Sequence, residues 1–460
     1  VPVQWDKLRV KRSSRLSIEE FGYKDQLHRA LTTKDLVIYG MIFMVPIAPY
    51  SVFGFVYNDA KGMVPLAYLV GLVGMFFTAM SYASMSRAFP LAGSVYTYAQ
   101  RGLHEVAGFF SGWLILLDYI LIPSLLYLLS AVALRPIIPS VPAWIWLVVF
   151  ISFNAAANLI GIQFTARVNR YLLVMELLVL ALFVALGLLA LHAGFGAGSL
   201  TLKPVYDPHV FSFATVAGAT SIAVLSFLGF DGVSTLAEES RSGKNAVGRA
   251  TVLSLVLVGA LFMLQTWIAT DLSAGMHFSS AETAFYEITE RAGGAWLRLV
   301  TIIAVVIATA IANAMAAQAA VSRILFAMAR DSKLPAILAK VHPRFKTPYV
   351  STMAVAGISL AAGLLFAERI DDLARVVNFG ALTGFVLLHL SVINHYLIRA
   401  RSGDWLRHLV FPLIGMLIIV YVLYEMDRAA KMLGLGWIVI GAVYYLVLTL
   451  WIKKPVALKI

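Results

Sequence analysis

The chain has 460 residues, 60% hydrophobic and 13% charged, with a formal charge of +12 and a mean hydropathy of +0.85. Soluble domains are close to half apolar and a quarter charged, so this composition excludes a soluble enzyme. The apolar residues also run in repeated long blocks, such as Leu114–Leu134 and Leu172–Leu191, which excludes a lone anchor carrying a globular head.

A run of about 20 apolar residues crosses roughly 30 Å of hydrocarbon. On that basis the sequence predicts twelve helical spans, at 35–57, 63–86, 105–133, 141–160, 168–192, 213–240, 247–271, 295–325, 349–366, 371–397, 409–424 and 433–452. The result is an all-α integral membrane protein with one polytopic domain over 35–452, a cytoplasmic arm at 1–34 and a cytoplasmic tail at 453–460. The arm starts at Val1 rather than Met, which reads as a trimmed N-terminus. Its Lys/Arg-rich stretch through Lys34 has no apolar core or small-residue cleavage site, so it is not a signal peptide. With the N-terminus inside, the cytoplasmic segments carry about three times as many Lys and Arg as the outer ones. The positive charge is thus an orientation signal that places both termini in the cytoplasm, not a nucleic-acid footprint. With no cysteine there is no disulfide and no thiolate metal site.

Two spans carry breaks. The first contains Pro46-Ile47-Ala48-Pro49 and then Gly54, and proline removes a backbone donor and clashes with the preceding turn. The sixth contains Gly218, Gly229 and Gly232 around Ser226-Phe227-Leu228-Gly229-Phe230-Asp231-Gly232. Breaks in spans one and six fall at corresponding places if the first ten helices form two five-helix halves, 35–192 and 213–397. Paired broken helices point to an inverted-repeat secondary transporter with its site at the midplane. The competing reading is two ordinary kinked helices.

Four strings then carry a resemblance. They are Phe89-Pro90-x-x-Gly93-Ser94-x-Tyr96-x-Tyr98 followed by Gly108-Phe109-x-x-Gly112-Trp113 and Asp118-Tyr119; Phe227-x-Gly229-Phe230-Asp231-x-Val233-Ser234-Thr235-x-Ala237-Glu238-Glu239; Ser322-Arg323-Ile324-Leu325-Phe326-Ala327-Met328-Ala329-Arg330-Asp331; and Leu334-Pro335, His342-Pro343 and Thr347-Pro348. In order and spacing these resemble the amino acid–polyamine–organocation (APC) superfamily of permeases, over roughly residues 30–450. Ala92-Gly93-Ser94-x-Tyr96-Thr97-Tyr98-Ala99-Gln100, Leu117-Asp118-Tyr119 and Asn378-Phe379-Gly380-Ala381-Leu382 bring the likeness nearest to bacterial putrescine importers. The resemblance implies a LeuT-like five-plus-five inverted repeat, helices 1 and 6 discontinuous, two extra C-terminal helices over 409–452, and alternating access in a bacterial inner membrane. Two departures bear on the substrate. Amino acid permeases carry a Gly-Ser-Gly-like break in span one whose amides hold a carboxylate, whereas Pro49-Tyr50-Ser51-Val52-Phe53-Gly54 has one glycine. The putrescine-importer pattern has Asp where this chain has Ser51.

Intramembrane carboxylates carry the chemistry, because a charge at the bilayer centre costs several kcal/mol unless paired or hydrated. At 1.5 Å per residue, Asp118 lies about 18 Å into span three and Glu176 about 12 Å into span five; Asp231 sits at the span-six break. No Lys or Arg matches them in depth, so a cationic substrate or a proton is the natural partner, against the alternative that they are protonated and bonded to backbone freed at the breaks. Asp118 and Tyr119 diverge by about 100° on a helix. By resemblance Tyr119 faces the substrate and Asp118 supports it. Tyr50, Phe53, Phe227 and Phe230 flank the breaks and can stack on a cation, or serve as packing. By resemblance too, proton-coupled relatives carry Arg-x-Asn and then a Lys; Arg167-Val168-Asn169 is present here and Glu176 stands near that Lys position. Glu176 is therefore the expected proton carrier, with sodium or a substrate ammonium as the other partners. Glu238 and Glu239, at the cytoplasmic end of span six, can pair with Arg87, Arg323 or Arg241 as an inner gate.

Hydrolase, zinc and phosphate-loop motifs are absent, and His389 and His395 fall on different helix faces. The expectation is a secondary active importer of a small organic amine, putrescine-like and proton-driven, with no cofactor and no metal. An amino acid permease of the same fold is the runner-up.

Overall fold

The computed structural model describes residues 27, 29–134, 137–367, 370–426 and 428–450. Most of the predicted arm and the whole of the predicted tail at 453–460 lie outside the described residues. Helix α1 (Thr33–Met44) starts at a reciprocal cap: the Thr32 hydroxyl accepts from the Asp35 N–H at 3.2 Å, and the Asp35 carboxylate accepts the Thr32 N–H at 3.0 Å. It stops at Val45, whose φ of +54° precedes Pro46. Pro49 occupies the first turn of α2 (Pro49–Asp59), where its missing N–H is harmless, and the axis has turned by 52°.

Then follow α3 (Val64–Ala88), the short α4 (Ser94–Gly102), the thirty-residue α5 (Glu105–Leu134), α6 (Ala143–Ile160) and α7 (Ile162–His192). The sixth predicted span starts as α8 (Phe213–Ala223), tightens to 3-10 turns over Val224–Phe227, reverses at Gly229 with φ +109° and continues as 3-10 turns over Phe230–Glu239. Beyond it lie α9 (Ala246–Leu272), α10 (Ala284–Gly293), α11 (Ala295–Ile307), a wide π-type turn over Ala308–Asn313, and α12 (Ala314–Arg330). The last four helices are α13 (Tyr349–Leu365), α14 (Ile370–Val392), α15 (Phe411–Glu425) and α16 (Arg428–Leu450).

Ten described helical stretches are long and apolar enough to cross a membrane, and the bent pair of α1 and α2 makes an eleventh. The remaining predicted span, 349–366, corresponds to α13, which is apolar but only 17 residues long. Helices α4 and α10 fall where the sequence reading placed connections.

The two interrupted spans meet directly. A Cβ on Gly232 would lie 2.1 Å from a Phe43 ring carbon, and one on Gly229 would lie 2.6 Å from that ring. Both glycines are needed for this approach, and Gly229 also for its left-handed backbone.

Candidate functional site

The meeting of the breaks leaves a cleft of about 700 Å³ beside them. Four elements wall it: the end of α1 with Phe43 and Val45, the start of α2 with Ser51, the middle of α5 with Asp118 and Tyr119, and the π-type turn with Thr309 and Asn313. The span-six break closes it through Ser226 and Gly229. Among the described residues no Lys or Arg lines it.

Its polar atoms differ in how they are satisfied. Ser226 Oγ lies 2.9 Å from the Tyr68 hydroxyl, and Thr309 Oγ1 lies 2.6 Å from Ser130 Oγ. Asn313 Oδ1 is buried with no partner among the described residues. The Asp118 carboxylate, 4% exposed, makes no hydrogen bond or ion pair with any described residue. A buried carboxylate in that state needs a counter-charge or a proton. Since Asp118 lines the cleft, a cation placed there can supply one.

Asp231 does not line the cleft. Its Oδ2 accepts from the Tyr119 hydroxyl at 2.5 Å and from the Tyr82 hydroxyl at 3.1 Å, and Ser94 donates to Tyr82 at 3.3 Å. The 3-10 winding after Gly229 turns this carboxylate behind the tyrosine. Of the residues expected at the substrate, the structure brings Ser51, Asp118 and Tyr119 to the cleft.

The expected aromatic wall is elsewhere. Tyr50 stacks on Phe285 of α10 at 3.9 Å and meets Phe183 edge-on at 5.7 Å; Phe53 packs against Tyr57 and Phe285. Positions 50, 53 and 57 share one helix face, and Ser51 and Val52 turn the other way into the cleft. Phe227 packs against Tyr68 and Phe262, and Phe230 against Tyr82 and Phe385. Instead the cleft takes its aromatic rings from Tyr119 and Phe43, which meet edge-on at 6.1 Å.

Glu176 on α7 is fully buried, and neither carboxylate oxygen has a partner among the described residues. Asn169, two turns earlier, is also buried with both amide atoms unpartnered. Neither residue lines the cleft.

Below Asp231, Glu239 pairs with Arg323, and Glu238 pairs with Arg330 through two bonds of 2.9 and 3.1 Å. Glu238 also accepts the Ala92 N–H at 3.0 Å. Arg87 and Arg241 are not the partners; Arg330, two turns beyond Arg323 on α12, takes Glu238. The main chain reinforces the closure, since the Leu31 N–H donates to Glu239 O at 3.0 Å and the Arg241 N–H to Leu31 O at 2.9 Å.

Residues that the sequence reading missed are Phe43, Ser226, Thr309 and Asn313. Ser226 stands in the quoted span-six string; Thr309 and Asn313 reach the cleft through a π-type turn that leaves no mark in an Ala-rich apolar run.

A bent pair, a glycine-broken partner span and a mostly apolar cleft between them with a buried carboxylate in its wall describe a helical membrane transporter. Residues 36–454 match the amino acid permease family. The chain is 32% identical over 446 residues to the low-affinity putrescine importer PlaP of Escherichia coli (strain K12), covering 94% of this chain and 96% of that protein. It is 27% identical over 464 residues to the branched-chain amino acid permease BcaP of Bacillus subtilis (strain 168), covering 95% and 96%. With cationic amino acid transporter 4 of Mus musculus it shares 26% over 401 residues, 82% of this chain and 61% of that protein. The chain belongs to the amino acid permease family, within the APC superfamily. It is a multi-pass membrane permease and not an enzyme.

Proposed function

We propose that the protein imports a small organic diamine of the putrescine type by alternating access, driven by protons. The observation that carries this is Asp118 in the cleft wall, its carboxylate paired with no described residue, in a site lined by no described Lys or Arg. A desolvated ammonium is its natural counter-charge, and the Tyr119 and Phe43 rings offer π-faces beside it.

The span-one break argues for a substrate without a carboxylate. Pro46 and Pro49 have no amide hydrogen, and the amides of Val45, Ala48, Tyr50 and Ser51 donate to Ile42, Val45, Ile47 and Ala48 carbonyls at 2.8–3.2 Å. Four of the amides that would form a carboxylate nest are thus already engaged. The putrescine importer relative agrees with this reading; the amino acid permease relatives favour the competing one.

In this reading the chain has twelve spans, α13 included, arranged as a five-plus-five inverted repeat over 35–192 and 213–397 with two further helices. Both termini face the cytoplasm of a bacterial inner membrane. Asp231 holds Tyr119 in place, Glu176 carries the coupling proton, and the Glu238–Arg330 and Glu239–Arg323 pairs form the inner gate. Competition for binding to the purified protein tests the substrate class. Putrescine is expected to displace a bound labelled diamine, and ornithine, which adds an α-carboxylate, is expected not to. Displacement by α-amino acids alone would establish the amino acid permease instead.

A further inference from the structure

On α5 the wall of the cleft runs from Asp118 to Leu129, about 16 Å at 1.5 Å per residue. Asp118 is the one described carboxylate in the lining, and Ile122 and Leu125 make the next turns of that wall apolar. The facing chain is placed by two contacts. Thr309 Oγ1 in the π-type turn lies 2.6 Å from Ser130 Oγ, and a Cβ on Gly112 would lie 3.1 Å from Met328 Sδ of α12. The chain from the π-type turn into α12 therefore runs antiparallel to α5. Asn313, one turn beyond Thr309, stands opposite the part of α5 around Leu126. That level is about 12 Å along the axis from Asp118, at 1.5 Å per residue.

Asn313 differs from the other neutral polar groups of the lining. Thr309 and Ser130 satisfy each other, and Ser226 is bonded to Tyr68. Asn313 Oδ1 is buried with no partner among the described residues. A buried amide oxygen in that state costs free energy until a donor reaches it. An ammonium brings such donors, whereas a carboxylate brings only acceptors.

We infer that Asn313 is the far anchor of the ligand: the cleft takes an α,ω-diamine stretched along α5, with one ammonium at Asp118 and the other amine at Asn313 Oδ1. This rests on the amine reading proposed above, and it adds what fixes the ligand's length and its second polar group. In a four-carbon diamine five bonds of about 1.5 Å separate the nitrogens, roughly 6 Å end to end along the zigzag. Hydrogen bonds of about 2.8 Å at both ends bring the span to about 12 Å, the offset between the two anchors. The methylenes then lie against Ile122 and Leu125. A neutral acceptor suits the far end, because a second carboxylate would be a second uncompensated charge in the empty cleft.

The test is calorimetry on the full chain purified in detergent, with putrescine, n-butylamine and the three-carbon and eight-carbon diamines. Butylamine keeps the four carbons and lacks the far amine. The wild type is expected to bind putrescine about tenfold or more tighter than butylamine, the scale of a lost charge-assisted hydrogen bond, and tighter than the shorter and longer diamines. Asn313→Leu should remove the preference for putrescine while binding butylamine at least as tightly as the wild type, which also shows that the variant is folded. Asp118→Asn should instead weaken both amines and keep the preference. Equal wild-type affinities for putrescine and butylamine, or an unchanged preference in Asn313→Leu, would overturn this assignment and leave the amine reading standing. Binding of α-amino acids with no binding of any amine would remove both.

Discussion

The Tyr119 hydroxyl donates to Asp231 Oδ2 at 2.5 Å, so the carboxylate at the span-six break reaches the cleft only through the phenol in front of it. Asp118, the preceding residue on α5, borders the same cleft with its carboxylate bonded to no described residue. In the proposed function, two acids that look equivalent along the chain therefore have different tasks: Asp118 meets the ligand and Asp231 orients the Tyr119 ring.

Their substitutions should separate accordingly. Asp118→Asn is expected to cost about 2 kcal/mol or more of amine binding, as for an ammonium left without its buried partner. Tyr119→Phe removes one of the two tyrosine hydrogen bonds to Asp231 and should cost roughly 1.5–3 kcal/mol, divided between stability and binding. Calorimetry on the purified variants measures both. Wild-type affinity in Asp118→Asn would remove this residue from the site.

The contact between the interrupted spans predicts a steric phenotype. Gly232→Ala puts a methyl group 2.1 Å from the Phe43 ring, and no small shift relieves that overlap in a packed core. Transport and the unfolding midpoint should both fall, by about 1–3 kcal/mol in stability. In a double-mutant cycle Phe43→Ala should lower the midpoint less in the Gly232→Ala background than in the wild type, because there it also removes the overlap. Additive losses in the double variant would mean that the glycine serves another need.

The breaks are legible in the sequence because their causes are local: Pro46 and Pro49 lack donors, and Gly229 adopts a backbone that other residues resist. Most span positions are legible too, since a long apolar run needs no tertiary information. The short α4 and α10 are not, because helices of nine or ten residues depend on packing rather than on their own propensity. The same holds for partner choice. Glu238 meets Arg330 across 92 residues, and only the fold selects it over Arg87 or Arg241. Tyr50 and Phe53 show the limit for aromatics, whose place beside a break says nothing about which helix face turns to the ligand.

The Glu239–Arg323 pair predicts both a stability and an access effect. Its side chains are 2% and 5% exposed, so Glu239→Gln strands a buried guanidinium and should cost about 3 kcal/mol. If the pair is a gate, the same change should admit water to residues above it. The chain has no cysteine, so Ser234→Cys, at a fully buried position, is a clean reporter. Thiol labelling at 234 should be much faster in the Glu239→Gln background than in its absence. A lowered unfolding midpoint with unchanged labelling would make the pair a tether and not a gate.

Glu176 gives the prediction that bears on energy coupling. Its carboxylate is fully buried on α7 with neither oxygen partnered by a described residue, and it does not line the cleft. Holding it charged there without a cation would cost several kcal/mol, so the closed arrangement favours the form that carries a proton. An arrangement that lets water reach it favours the charged form. Proton occupancy and conformation are then linked: whatever shifts one shifts the other by the difference in affinity between the two states. Glu176→Gln keeps the shape and removes the charge change. Proteoliposomes bearing this variant should still exchange labelled diamine for unlabelled, since neither the cleft nor its rocking depends on residue 176. They should no longer concentrate diamine when an inward proton gradient is imposed, whereas the wild type should. Loss of both activities would point to a folding defect, which the unfolding midpoint checks. Full gradient-driven accumulation by Glu176→Gln would move the coupling proton to Asp118 or Asp231, and the same two assays on Asp118→Asn and Asp231→Asn would then locate it.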